Sequence, residues 1–223
     1  RDIWSRLNTI ALASCGTCGA TGGGLKERGR LEPALARLFR VRPLRDGDGE
    51  AARATRNAED LLQDGRFDEC LRALHDAKRL VPRSHIARTN LAAAYFERGD
   101  EDAALHWLRE AHRLAPHDEV ACLATALLEQ RAGNVSDAQW LLVNFLQEVD
   151  ANHTGALRQL ARVHQEQGQW NQAATCFRRL MSAEPGSSEW PRELEYCLER
   201  APGGGRLGPG GGGDFDGRGG GWG

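Results

Sequence analysis

Cys15 and Cys18, separated by two residues, are the pair whose spacing most directly suggests chemistry. Two thiolates at this spacing can bind one metal ion, but a closed zinc site needs four ligands, and no second such pair or close pair of histidines follows. A thioredoxin-like redox site would need a strand–helix–strand context, which the glycine-rich residues 15–24 lack. A disulfide, unpaired thiols and a metal ion shared with another chain all remain open, so these cysteines are candidates and we predict no complete metal site.

The other side chains that could take part in catalysis form no recognisable pattern. The sequence contains no nucleophile–base motif, phosphate-binding glycine loop, HExxH motif or dinucleotide fingerprint. Seven histidines are scattered along the chain: His75, His85, His106, His112, His117, His153 and His164. We therefore predict a protein that is not an enzyme and that uses no cofactor and no small-molecule substrate.

Two asparagines lie in glycosylation sequons, Asn134-Val-Ser136 and Asn152-His-Thr154. Both fall at predicted turns, where an acceptor asparagine is accessible. In a secreted protein these two side chains could carry glycans.

The composition indicates a helical body with a glycine-rich appendage. Among the 223 residues, 40% are apolar but only 6% are aromatic, and there are 27 glycines. The formal charge of −2 argues against a protein built mainly to coat nucleic acid, so we predict no nucleic-acid partner. No run of about 18 apolar residues occurs, and we therefore expect no transmembrane segment.

The stretch His85–Asp118 predicts two short helices joined by a turn. Apolar residues recur at helical spacing up to Gly99, where the first helix must end, and again from there to Pro116. The small residues Ala92 and Ala104 fall where two paired helices must approach closely. This pattern resembles one tetratricopeptide repeat, whose period is about 34 residues.

The same register can be laid over residues 51–84, 85–118, 119–153 and 154–187, with a glycine at each predicted turn. The resemblance implies an all-α fold in which antiparallel helix pairs stack into a solenoid. Because the end of a solenoid exposes an apolar face, it needs a cap. We expect a capping helix over residues 188–200 at one end, and a short basic amphipathic helix over residues 31–40 is the candidate for the other.

Two extensions flank the predicted repeats. Residues 1–50 are expected to form an irregular arm with the C-x-x-C glycine loop and the short basic helix, and residues 201–223 a glycine-rich tail. Glycine loses the most conformational entropy on ordering, so an ordered tail would need a partner surface or a neighbouring copy. This reasoning favours self-assembly and, with it, an extracellular or cell-surface location over a cytoplasmic one.

In this family the first helix of each repeat lines a concave groove that typically holds a peptide. Carried over by repeat position, the resemblance implies a groove that presents Thr55, Arg56, Glu59, Asn90, Ala93, Phe96, Leu123, Leu127, Arg158, Gln159 and Arg162. Family members that bind the carboxylate of chaperone C-termini have Lys and Asn in the first copy, then Lys and Arg in the third. These positions here hold Thr55 and Glu59, then Val120 and Ala124. Only Asn90 matches, so we expect no carboxylate clamp.

The expected groove is apolar in its middle, from Phe96 to Leu127, and basic at one end, where Arg158 and Arg162 lie. Such a surface suits an amphipathic helix or an apolar extended strand with an acidic flank. The protein's own N-terminal arm is the other candidate to fill it.

The sequence therefore favours a non-catalytic protein–protein interaction scaffold that assembles with itself, as the subunit of a homo-oligomer or filament whose terminal segments pack on neighbouring copies. A head-to-tail contact that does not close into a ring would give the filament. The alternative is a monomeric adaptor that binds an apolar or amphipathic peptide of a different protein in its groove. A redox- or metal-responsive adaptor that uses Cys15 and Cys18 is a third hypothesis.

Overall fold

The computed structural model of the protein describes residues 37–44 and 49–202. These residues contain helices and connecting turns and no strand. A short 3-10 helix covers Arg37–Phe39. The α-helices are α1 (Gly49–Gln63), α2 (Phe67–Leu80), α3 (His85–Arg98), α4 (Glu101–Leu114), α5 (Glu119–Arg131), α6 (Val135–Glu148), α7 (Thr154–Glu166), α8 (Trp170–Ala183) and α9 (Glu189–Arg200).

Glycines with positive φ angles lie between the two helices of each pair, at the positions where the sequence predicts turns: Gly65 (73°), Gly99 (93°), Gly133 (89°) and Gly168 (70°). Gly99 takes the left-handed conformation that ends α3, and its amide donates a hydrogen bond to the carbonyl of Phe96. An L side chain in this conformation costs about 1–2 kcal/mol, because its Cβ approaches the following carbonyl oxygen. Glycine therefore fixes the length of the first helix in each pair.

Side-chain caps fix the opposite ends of several helices. Ser84, Asp100 and Asp118 each accept a hydrogen bond from the amide three residues later, at 3.2, 3.1 and 2.8 Å. His153 does the same through Nδ1, at 3.1 Å from the Ala156 amide. Each cap satisfies an amide that has no partner within its own helix, a contribution of about 1 kcal/mol.

Small side chains allow the two helices of each pair to approach closely. One equivalent position in each helix of the four pairs holds a small residue that is at most 1% exposed: Ala58, Cys70, Ala92, Ala104, Ala126, Ala138, Ala161 and Ala173. Larger side chains in the second helix of each pair, Leu74, Leu108, Leu142 and Phe177, are also buried. Burial of each larger side chain contributes about 1.5–3 kcal/mol, so packing between helices, more than helix propensity, holds the array together.

Each helix packs on the next one in chain order, and α5 also contacts α3 and α7. The prediction of an all-α array of stacked helix pairs is therefore confirmed over the described residues. The last helix, α9, packs on α8 through Trp190, whose ring stacks on Phe177 with centroids 6.3 Å apart. The indole Nε1 of Trp190 donates to Glu184 at 3.0 Å, so the buried ring has its polar atom satisfied.

Residues 37–44, which we call the groove segment, differ from the prediction. Of the described residues, Arg37–Phe39 form a 3-10 turn and Val41–Leu44 have no regular structure. Pro43 disfavours the α conformation at Arg42, and Leu38, Phe39, Val41 and Leu44 are all buried. Within the segment, Arg37–Phe39 pack against α3 and α5, and Leu44 packs with Ala51 of α1 and Ala77 of α2. Residues 31–36 lie outside the described residues.

Candidate functional site

The first helices of the four pairs, α1, α3, α5 and α7, supply the residues predicted to line a groove. Because α3 contacts α5 and α5 contacts α7, these three helices form one continuous face, and α1 joins it through the cluster of Ala51 and Ala87; we call this face the groove. The groove segment lies across it, with Arg37 and Leu38 towards α5 and α7 and Leu44 towards α1. The chain itself therefore occupies much of the predicted binding surface.

Asn90 of α3 binds the main chain of the groove segment. Its Oδ1 accepts a hydrogen bond from the amide of Arg42 at 2.7 Å, and its Nδ2 donates to the carbonyl of the same residue at 2.8 Å. Asn90 is fully buried, and both polar atoms of its amide are satisfied by this pair of bonds. Because the contacts are to main-chain atoms, they recognise an extended backbone independently of its side chains.

The side chain of Arg42 forms a bidentate ion pair with Asp118, with both N–O distances at 3.1 Å. Its Nη2 also donates to the Thr89 hydroxyl at 3.3 Å. Asp118 additionally caps α5 and lies 3.5 Å from Nε2 of His85. One carboxylate thus joins the groove segment to two helices.

The environment of Asp118 changes the acidity of its carboxyl group. Burial alone would raise its pKa, but hydrogen bonds from Arg42 and from the Ala121 amide, together with the charges of Arg42 and His85, hold the pKa below its ordinary value. The carboxylate is only 17% exposed. The contact with Arg42 is therefore between charged groups over the ordinary pH range.

Apolar contacts flank the polar ones on both sides. The ring of Phe39 stacks on Phe96 of α3, with centroids 3.9 Å apart and planes 20° apart. Leu44 packs in a cluster with Ala51 of α1, Ala77 of α2 and Ala87 of α3. This cluster fills space left by small residues in the first repeat. The groove segment is thus held by an aromatic contact, an arginine and a leucine, in that order along the chain.

A cavity of about 300 Å³ lies where the described part of the groove segment begins. Arg37 and Leu38 line it on one side, Val120 and Leu123 of α5 on another, and Gly155 and Arg158 of α7 beyond. We call this cavity the open end of the groove. Two carboxylates beside it are already engaged: Glu119 lies 3.2 Å from Nε2 of His153, and Glu184 accepts from the Trp190 indole.

The other predicted groove residues lie in different environments. Arg56 and Glu59 on α1 are exposed, and Arg162 on α7 is half-buried. Ala93 and Leu127 are buried, and the hydroxyl of buried Thr55 donates to the carbonyl of Ala51 in its own helix. These last three therefore pack helices together.

Gln159 occupies in α7 the repeat position that Asn90 occupies in α3. It is 1% exposed, but neither polar atom of its amide has a hydrogen-bond partner. Its neighbour Arg158 lies with its guanidinium 4.7 Å from the ring centroid of Trp190. Among the described residues, the amide of Asn90 therefore has a bound main chain and the amide of Gln159 has none.

Arg42, Thr89 and Asp118 take part in this site, although the sequence reasoning did not select them. Asp118 lies 76 residues from Arg42 along the chain, and nothing local to either residue indicates the pairing. Pro43 was the one available signal, because it disfavours a helical conformation at the residue before it. The proline indicates an extended backbone at Arg42.

The predicted glycosylation sites and the cysteines are the remaining candidates. The side-chain nitrogen of Asn134, where a glycan would be attached, donates to Glu129 at 2.8 Å, whereas Asn152 is in an exposed turn. Cys70, Cys122, Cys176 and Cys197 are buried free thiols, and burial raises the pKa of Cys122 to about 12. Cys15 and Cys18 lie outside the described residues.

The described part of the chain lacks two further features. No group of three or more His, Cys, Asp and Glu side chains there is placed to hold a metal ion. Within the same residues, every helix is too short or too polar to cross a membrane.

Comparisons with known proteins agree with the helical-pair architecture. A family model described as Tetratricopeptide repeat matches residues 55–119, and no curated protein sequence matches the chain. The solved structure of MamA 41-end from Desulfovibrio magneticus RS-1 is similar at 15% identity and a TM-score of 0.60, over 68% of this chain and 85% of that chain. At this identity the likeness concerns the fold alone.

Two other solved structures give the same result. A tetratricopeptide repeat protein from Parabacteroides merdae ATCC 43184 has 16% identity and a TM-score of 0.63, over 68% of this chain and 60% of that one. YrrB, a TPR protein with an unusual peptide-binding site, has 15% identity and a TM-score of 0.56, over 69% and 78%.

Proposed function

Because the chain is a tetratricopeptide repeat protein, we propose that it is a non-catalytic scaffold that joins protein chains by binding an extended peptide segment in its groove. The bound segment carries an aromatic residue, an arginine three residues later and a leucine two residues after that. The hydrogen bonds between Asn90 and the main chain of Arg42 are the observation that carries this proposal.

The binding mode follows from the contacts of the groove segment. Asn90 recognises an extended main chain, whereas Phe96, Asp118 and the cluster around Ala51 each receive one side chain. A segment from another chain that presents the same three side chains would make the same contacts. The chain's own residues 37–44 then compete with it, at an effective concentration on the order of 1 mM for a short connection.

A peptide supplied in trans tests the proposal. The full-length Phe39→Ala/Arg42→Ala double variant weakens the internal competitor and leaves the groove side chains unchanged. A fluorescent peptide with the sequence of residues 37–44, RLFRVRPL, should bind this variant about tenfold or more tightly than the wild-type chain, as measured by fluorescence anisotropy. The expected gain comes from the loss of the competing segment.

The control is a peptide of the same length with alanine in place of the phenylalanine and of the third arginine, which correspond to Phe39 and Arg42. It should bind the double variant far more weakly than the native peptide. Equal binding of the two peptides, or no binding of either, would show that the groove does not select such segments and would refute the proposal.

Two assemblies fit this function, and the self-assembling one is our first choice: a homo-oligomer or filament in which terminal segments pack on neighbouring copies. It is favoured because each copy carries both a groove and a segment that fits it. The second candidate is a monomeric adaptor that binds an apolar or amphipathic peptide of a different protein at the open end of the groove. The cavity of about 300 Å³ beside Leu123 and Arg158 favours it, as does the fold likeness to YrrB with its peptide-binding site.

Adding peptides to the full-length Leu123→Glu variant tests the second candidate, because the introduced carboxylate would occupy the open end. Loss of partner binding there, with binding of the peptide RLFRVRPL unchanged when Leu123→Glu is added to the Phe39→Ala/Arg42→Ala variant, would support the adaptor. Unchanged partner binding would exclude the open end.

A further inference from the structure

We propose that the partner bound in the groove is a second copy of this chain, and that two copies exchange residues 37–44 reciprocally. This inference rests on the proposed function and names its partner. In the exchanged pair, Phe39 of one copy stacks on Phe96 of the other, and Arg42 of one copy pairs with Asp118 of the other. Both grooves are filled, and each copy contributes residues to the site of its neighbour.

Complementarity within a single sequence is the first argument. The segment and its receptor are carried by every copy, so the exchanged contacts are the same as those seen within one chain. An interface that uses the same two surfaces on both copies closes with two-fold symmetry. No new contact has to be created for the exchange, and the contacts given up within one chain are all regained between chains.

The length of the connection limits where the second copy can lie. Leu44 is joined to Gly49, the first residue of α1, through residues 45–48. Five residue steps span at most about 17 Å. A segment held in a neighbouring groove must therefore start beside its own α1, which brings the α1 helices of the two copies close to one another.

The exposed face of α1 suits such a contact. Arg56 and Glu59 are both exposed, and neither forms an ion pair within the described part of the chain. In an arrangement with two-fold symmetry, Arg56 of one copy can face Glu59 of the other, and the reverse contact follows by symmetry. This surface is thus complementary in charge to itself.

Two cysteine variants test the exchange on the full-length chain. The segment makes the same contacts within one chain and between chains, so a substitution that weakens them shifts monomer and dimer equally, and a cross-link between copies is the informative measurement. We expect the wild-type chain to form a dimer, measured by size-exclusion chromatography with light scattering over a wide concentration range. Phe39→Cys in one copy and Phe96→Cys in another face each other only in the exchanged pair, because the two rings stack with centroids 3.9 Å apart. An equimolar mixture of the two variants, treated with a short thiol-reactive cross-linker, should therefore give a covalent dimer.

Each cysteine variant alone is the matched control and should give much less covalent dimer than the mixture, and circular dichroism should show unchanged helix content for both. Equal cross-linking in the mixture and in the single variants, or none in the mixture, would place the interface elsewhere and overturn the exchange.

The two proposals fail separately. A wild-type chain that stays monomeric at every concentration, while its Phe39→Ala/Arg42→Ala variant binds the peptide RLFRVRPL, would overturn the exchange and leave the peptide-binding scaffold standing. Loss of peptide binding would refute the proposed function itself.

Discussion

Asn90 binds both main-chain polar groups of Arg42: its side chain accepts a hydrogen bond from the Arg42 amide at 2.7 Å and donates one to the Arg42 carbonyl at 2.8 Å. The two residues are 48 positions apart in the sequence. Since the contact uses the whole side-chain amide, no smaller or singly functional side chain reproduces it.

Replacement of Asn90 by Ala should lower the free energy of unfolding by about 2 kcal/mol, because two buried hydrogen bonds are lost. Urea denaturation followed by circular dichroism measures this change. Asn57→Ala on the exposed face of α1 is the control, and its effect should stay within about 0.5 kcal/mol. Equal effects of the two substitutions would mean that the groove segment contributes nothing to stability.

Asp118 should make stability depend on pH in acid. Its pKa is lowered in the folded protein, so its contribution is complete above the ordinary carboxyl value of about 3.9 and is lost as the pH falls through the lower folded value. Near neutral pH the wild-type chain should be more stable than Asp118→Asn by about 2 kcal/mol, through its charge-assisted bonds to Arg42. Urea titrations between about pH 5 and pH 2 should bring the two stabilities together. If the stabilities of the wild-type chain and of Asp118→Asn changed in parallel over this pH range, Asp118 would not be the source of the pH dependence.

The ion pair between Arg109 and Glu129 should matter more than its exposed neighbour. Glu129 is 5% exposed, and its two oxygens lie 2.6 and 2.7 Å from Arg109, which is 47% exposed. Arg109→Ala would leave a buried carboxylate bound only by Asn134, at a cost of about 2 kcal/mol. Arg113→Ala on the same helix removes an exposed pair with Glu110 and should cost less than about 0.5 kcal/mol. Thermal or urea unfolding of the two variants would reveal the difference, and equal values would refute it.

Gly133 offers a measurement of backbone strain without steric overlap. A Cβ added at Gly133 would meet no atom within 4 Å, but φ there is +89°. Gly133→Ala should therefore lower the free energy of unfolding by about 1 kcal/mol through conformation alone. Gly186→Ala, where a Cβ also has open space and φ is not in the left-handed range, is the control and should stay within about 0.5 kcal/mol. A neutral Gly133→Ala would mean that the turn relaxes at little cost.

Gln159 should be replaceable by an apolar residue of similar size. Its amide is buried without hydrogen-bond partners, a condition that costs about 1–3 kcal/mol. Gln159→Leu should therefore raise the free energy of unfolding by about 1 kcal/mol, whereas Gln172→Leu on the exposed side of α8 should change it little. A clear loss of stability in Gln159→Leu would show that the amide is satisfied in solution.

The helical framework could be predicted because its determinants are local. Gly99 readily adopts the left-handed conformation that ends a helix. Ala92 and Ala104, only 12 positions apart in the sequence, mark where two helices approach closely. The repeat register also singled out Asn90 and Phe96, which in the structure contact Arg42 and Phe39 of the groove segment.

The occupant of the groove could not be predicted in the same way. Leu35, Leu38 and Phe39 have helical spacing, so local periodicity favours a helix through Arg40. The observed conformation depends on Phe96, Asn90 and Asp118, which lie far along the chain. Physical contacts between distant residues outweigh a weak local preference, because isolated short helices are marginal in water. A pattern read over a short window does not include those contacts.

The groove segment also changes how the array is expected to unfold. Stacked repeats interact mainly with their neighbours, so terminal repeats can unfold while the others stay folded. The groove segment links the first three helix pairs, because Arg42 binds Asn90 in the second pair and Asp118 at the start of the third, and Leu44 packs on the first. These three pairs should therefore lose structure in one cooperative step, and the fourth pair with α9 should exchange its amide hydrogens sooner. With the groove segment in place, the first three helix pairs should thus unfold as one cooperative unit, as a globular domain does.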